Sequence, residues 1–161
     1  MSDCWVIVAD GARARFMALE RKDGVPSRAA LRLVEGARMT NRAHTVSGRR
    51  SERKIKSGRD TGRGSGAAHG YTDMRAPHDA ELLRRFASRI AGVAAALAAE
   101  DEISSIVLVA EPRMLGVLRG AFSPVAKSGV QVCELAHDYS RMTAAQMKKH
   151  LIDNDVLPHA G

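Results

Sequence analysis

The stretch CWVIVADGARARF, residues 4–16, decides the fold. Cys4 to Ala9 is apolar without a break, the signature of a strand buried on both faces of a sheet. Asp10-Gly11 interrupts it, and from Arg13 to Leu19 the residues Ala14, Phe16 and Ala18 alternate with Arg13 and Arg15. An Asp-Gly pair between two such runs is a strong hairpin signal. After the turn at Lys22-Asp23-Gly24, the run Ala30 to Glu35 supplies a third strand, so the first third of the chain reads as an antiparallel meander.

Downstream, Leu82, Leu83, Phe86, Ile90, Val93, Ala94 and Leu97 recur at intervals of three and four, one face of a long helix beginning near Asp79. Ser105 to Ala110 is a second buried strand. Pro112 can open a helix without losing a hydrogen bond, and Met114, Leu115, Leu118 and Phe122 give that helix an apolar face. Val130 to Leu135 is a more one-sided strand, nearer an edge. Thr143 and Gln146 form a capping box that starts a last helix, with Met147 and Leu151 inward. Three antiparallel strands followed by two right-handed crossovers give an α/β fold. It has a mixed five-stranded sheet in the order 3-2-1-4-5, ribonuclease H-like, with three main helices and the first strand parallel to the fourth. On that sheet Cys4 and Cys133 lie two strands apart, about 9–10 Å, too far for a disulfide.

With 161 residues, 45% of them hydrophobic, the chain is expected to form one domain over 1–161. Its start is acidic where a secretory signal is basic, and no window nears the roughly 18 apolar residues of a membrane span. A cytoplasmic protein with no membrane partner is the expectation.

Between Met39 and His78 the pattern disappears: Val46 and Ile55 are the only branched aliphatics, and six of the chain's fourteen glycines fall here. The reading is a flexible, basic, glycine-rich insertion at about 38–77, a long loop between strand 3 and the first helix. Between Arg38 and Arg75 ten Arg or Lys face three acids, a difference equal to the whole net charge of +7. A polyanion-binding surface therefore belongs to this segment, with Arg49, Arg50, Arg53, Lys54, Lys56, Arg59 and Arg63 as the contacts. Tyr71 is its sole aromatic, so backbone phosphates rather than stacked bases are the expected target.

The loop GRDTGRGSGAAHG, residues 58–70, fails as a nucleotide cradle: no Lys follows its glycines, and Gly62, Gly64 and Gly66 do not match the dinucleotide spacing. Asp10, Glu111 and Asp138 each follow a strand of the parallel region and could gather at its carboxyl edge, as in a metal-dependent nuclease. Yet Asp10 also reads as a hairpin residue and Glu111 as a helix-start acid. The six histidines lack zinc-ligand spacing, so neither metal nor cofactor is expected. Ser65, His69 and Asp73 lack the rigid support that a catalytic triad needs.

The stretches WVIVADGARARF (5–16), HDAELLRRF (78–86) and IVLVAEPRMLGVLR (106–119), with AHDY (136–139), resemble the bacterial host-attachment protein family over nearly the whole chain. That family in turn looks like the middle domain of archaeal and eukaryotic peptide-chain release factors, whose loop between the third strand and the long helix carries Gly-Gly-Gln. Here Gly62, Gly64, Ser65 and Gly66 stand in the equivalent place, and the chain's two glutamines, Gln131 and Gln146, lie elsewhere. The resemblance implies a release-factor-like domain that contacts RNA or the ribosome through its loop, without its own hydrolytic activity. The alternatives are a hydrolase, either a peptidyl-tRNA esterase or a nuclease using Asp10, Glu111 and Asp138, and a protein-binding adaptor linked to host attachment.

Overall fold

The computed structural model describes residues 3–22, 24, 30–42 and 65–157, and over 65–76 the backbone alone. Among the described residues five strands form one sheet: β1 (Cys4–Ala9), β2 (Arg13–Arg21), β3 (Leu31–Thr40), β4 (Ser105–Ala110) and β5 (Gln131–Ala136). Their order is β3-β2-β1-β4-β5, as the sequence predicts. The first three strands pair antiparallel, and β1–β4 and β4–β5 pair parallel. β1 and β4 are buried along their whole length, whereas β5 is only partly covered, in keeping with its edge position.

Among the described residues four helices accompany the sheet: α1 (Ser65–Asp101), α2 (Pro112–Ala121), α3 (Ser123–Lys127) and α4 (Ala144–Asp153). α1, α2 and α3 cover one face. Phe86 and Ile90 of α1, Met114 and Leu118 of α2, and Val125 of α3 pack there on Ile7, Phe16, Ile106 and Leu108. α4 covers the other face, setting Met147 and Leu151 against Val6, Met17, Leu33 and Val109. The split follows from period two along each strand, which sends Ile7 and Val6 to opposite sides. The Thr143 hydroxyl accepts the Gln146 amide and the Gln146 side chain accepts the Thr143 amide, which is the predicted capping box.

Three elements differ from expectation. α3 was not expected; at five residues it is too short for a helical period to be legible. α1 begins at Ser65 rather than near Asp79. Gly66, Gly70 and Pro77 hide that start in the sequence, each being a poor helix former, while Ala67, Ala68, Met74, Arg75 and Ala76 favour helix and extend a helix already nucleated by its packed half. β3 continues to Thr40 instead of ending at Glu35. The insertion expected at about 38–77 is thus regular at both flanks, and residues 43–64 lie outside the described residues.

The extension of β3 carries an irregularity. Met17 pairs with Glu35, but Arg15 pairs with Arg38, so Phe16 alone faces both Gly36 and Ala37. Such a bulge adds one residue to one strand and resets its facing. Glu35 and Arg38, three apart, would point to opposite sides of a regular strand; here both accompany Arg15 and Met17 on the α4 face. Gly36 points the other way, where an added Cβ would stand 3.0 Å from the Trp5 ring and 3.3 Å from the Phe16 carbonyl oxygen.

Both cysteines are free thiols, with β4 between their strands. Burial pushes the Cys4 thiol up to about 11. Among the described residues no helix is long and apolar enough to cross a membrane.

Candidate functional site

The three strand-end acids do not build a metal centre. Asp10 Oδ1 accepts the amides of Ala12 and Arg13, both at 2.7 Å, and so closes the β1–β2 turn. Glu111 is exposed and precedes Pro112 as the N-cap of α2, with no side-chain capping bond. Asp138 Oδ1 accepts the Ser140 hydroxyl at 2.6 Å and the Ser140 amide at 3.1 Å; these bonds, with a smaller contribution from the Arg141 charge, hold its carboxyl below the usual range. Among the described residues no group of three or more His, Cys, Asp or Glu is placed to hold a metal ion. His137 and His150 instead flank the Tyr139 ring, at centroid distances of 5.5 and 5.4 Å.

Arg49, Arg50, Arg53, Lys54, Lys56, Arg59 and Arg63, with Gly62 and Gly64, lie outside the described residues. Ser65 and Gly66 fall in the opening turn of α1 rather than in a loop. Where the segment departs is well defined. The Asn41 amide donates to the Ala12 carbonyl at 2.7 Å and its side-chain nitrogen to the Gly11 carbonyl at 3.0 Å. Asn41 is buried, so the chain heads toward residue 43 pinned against the β1–β2 turn.

Beside that point opens a cleft of about 760 Å³, lined by Arg13 and Arg15 of β2, Glu35, Arg38 and Thr40 of β3, and Arg141 and Thr143 ahead of α4. At its centre Glu35 holds two guanidinium groups. Arg38 donates to both carboxylate oxygens, at 2.7 and 2.8 Å, and Arg15 Nε donates to one of them at 2.8 Å. Arg38 first, then Arg15, pulls the Glu35 carboxyl down to about 2. Arg15 also donates to the carbonyls of Met142 at 2.7 Å and Ser140 at 3.4 Å, which ties β2 to the loop ahead of α4. Its side chain is only 14% exposed, so its direction is fixed by three acceptors on two elements. A second cleft, of about 660 Å³, lies at the other end of β2 and β3, with Arg21, Lys22, Arg32 and Lys148 in its walls.

Sequence reasoning missed the first cleft because it read Arg15 only as an outward residue of an alternating strand. A signal was present: alternation sets Arg15 on the same face as Met17 and Leu19, two core residues, and a charge on such a face needs a partner. The partner, Glu35, lay at what looked like the end of strand 3, and no spacing rule reveals a bulge.

No curated protein matches the chain. The sequence profile of one family, described as protein required for attachment to host cells, matches residues 5–151, and the chain belongs to that family.

Proposed function

We propose that this member of the host-attachment family is a non-hydrolytic RNA-binding protein, with a ribonuclease H-like fold related to the release-factor middle domain, whose contacts are Arg49, Arg50, Arg53, Lys54, Lys56, Arg59 and Arg63. The observation that carries this reading is the confinement of the whole net charge of +7 to the segment between Arg38 and Arg75. A charge so concentrated attracts a polyanion without adding to the fold. The strand order 3-2-1-4-5 supports the release-factor likeness. The departure of the segment from Asn41, beside an arginine-lined cleft, supports a common RNA-facing surface. The want of glutamine between β3 and α1 favours binding over ester hydrolysis, since both glutamines, Gln131 and Gln146, lie far along the chain.

The test is binding of fluorescent single-stranded ribosomal RNA fragments across a salt series. Affinity is expected to fall steeply with salt, by a logarithmic slope of about 0.7 for each phosphate neutralised. Changing the seven basic residues to Gln is expected to flatten that slope and weaken binding at low salt by more than tenfold, the direction set by lost counterion release. Unchanged affinity and slope in that variant would overturn the reading.

A further inference from the structure

The cleft between β2, β3 and the loop ahead of α4 holds more positive charge than its own architecture consumes. Four arginines line it, Arg13, Arg15, Arg38 and Arg141, against one carboxylate, Glu35, which leaves an excess of three. Arg15 and Arg38 are consumed in part by Glu35. The Arg13 and Arg141 side chains make no hydrogen bond or ion pair to any described residue, although the Arg141 charge reaches Asp138. They arrive from opposite ends of the sequence, one opening β2 and the other preceding α4. Because Glu35 already receives three guanidinium hydrogen bonds, its charge is compensated and does not turn an incoming anion away.

The shape agrees with the charge. A volume of about 760 Å³ exceeds what one tetrahedral anion fills and lies within the range of small-ligand sites. Met39 and Met142 supply apolar wall for the organic part of a ligand. Thr143 and Ala144, the opening turn of α4, face the same space, where the helix dipole adds positive potential. Guanidinium is the side chain best matched to phosphate oxygens, two at a time.

We propose that this cleft is a phosphate-binding site in which Arg13 and Arg141 grip a phosphate group, Arg15 and Glu35 fix the wall behind it, and Arg38 closes the outer side. The phosphate is either a phosphodiester of a bound RNA strand or the phosphate of a small metabolite. Only the first source rests on the RNA-binding reading above.

The full-length protein is titrated with inorganic phosphate at constant ionic strength, following amide and arginine Nε–Hε resonances by NMR. The same titration is run on the double variant Arg13→Gln/Arg141→Gln and on Arg21→Gln/Arg32→Gln, a matched loss of charge in the neighbouring cleft. Phosphate is expected to shift the resonances of Arg13, Arg141 and Ala144 in a saturable way. The first double variant is expected to weaken that binding by roughly tenfold or more, given the strength of charge-assisted hydrogen bonds, and the second to leave it within twofold. Shifts spread evenly over surface arginines, or equal losses in both variants, would overturn the proposal. A parallel RNA titration separates the sources. If the strand occupies the cleft, the salt slope falls by about one to two in Arg13→Gln/Arg141→Gln. Phosphate binding without RNA binding would retain the cleft, assign it to a metabolite and reject the RNA reading. RNA binding with an unaltered slope and no saturable phosphate shifts would do the reverse.

Discussion

Glu35 and Gly36 are neighbours in the chain that serve opposite faces of the sheet. The Glu35 carboxyl ordinarily titrates near 4.5 and is held down to about 2 by Arg38 and Arg15. A depressed acid stabilises the fold fully above its unfolded value, and that contribution disappears as pH falls toward the folded one. In urea melts at stepped pH, the stability difference between the wild type and Glu35→Gln is therefore expected to be largest at neutral pH and to shrink between about pH 5 and 2. A difference that is constant across that window would show that Glu35 gains nothing from its two arginines. Gly36 lies on the Trp5 side, where a Cβ would be 3.0 Å from two ring atoms. Gly36→Val favours the strand by propensity but overpacks against a ring that is only 8% exposed, and a net loss of about 1–3 kcal/mol is expected. Trp5 is the sole tryptophan, so its own fluorescence reports both the unfolding midpoint and the local disturbance.

Among the elements, α1 joins two unlike halves. Its 37 residues span about 55 Å, whereas the six-residue strands β1 and β4 span about 20 Å. Among the described side chains its buried positions, Phe86, Ala87, Ile90, Ala91 and Ala94, all lie in the second half, and Pro77 removes one backbone donor from the first. Most helical stability in proteins comes from tertiary packing, so amide hydrogens over 65–80 are expected to exchange at least tenfold faster than those over 86–97 in hydrogen-exchange mass spectrometry. Equal protection along the helix would mean that its first half has a partner surface. The same division explains what the sequence disclosed. The packed half advertises itself through Leu83, Phe86, Ile90 and Ala94 at helical spacing; the first half carries no apolar stripe and two glycines, and reads as loop. β3 went the same way, because Gly36 sits where an alternating pattern would have continued.

For the molecule as a whole, strand order and core followed from runs such as Cys4–Ala9 and, within β4, residues 106–110, whose unbroken apolarity leaves no position for them but the centre of a sheet. The candidate site did not follow, because its charges come from β2, β3 and the α4 approach and meet only once the sheet is folded. Local signals carry secondary structure; convergence of distant residues is a property of topology. The bulge at Gly36-Ala37 shows how thin that dependence is. Were β3 to run past β2 without the bulge, Ala37 would take the place of Arg38 opposite Arg15, and Arg38 would turn to the Trp5 face, out of reach of Glu35. The placement of charge in this protein therefore depends on strand register as much as on residue identity: a relative could keep every arginine and the same strand order, and still lack the cleft by pairing β2 and β3 one residue out of step.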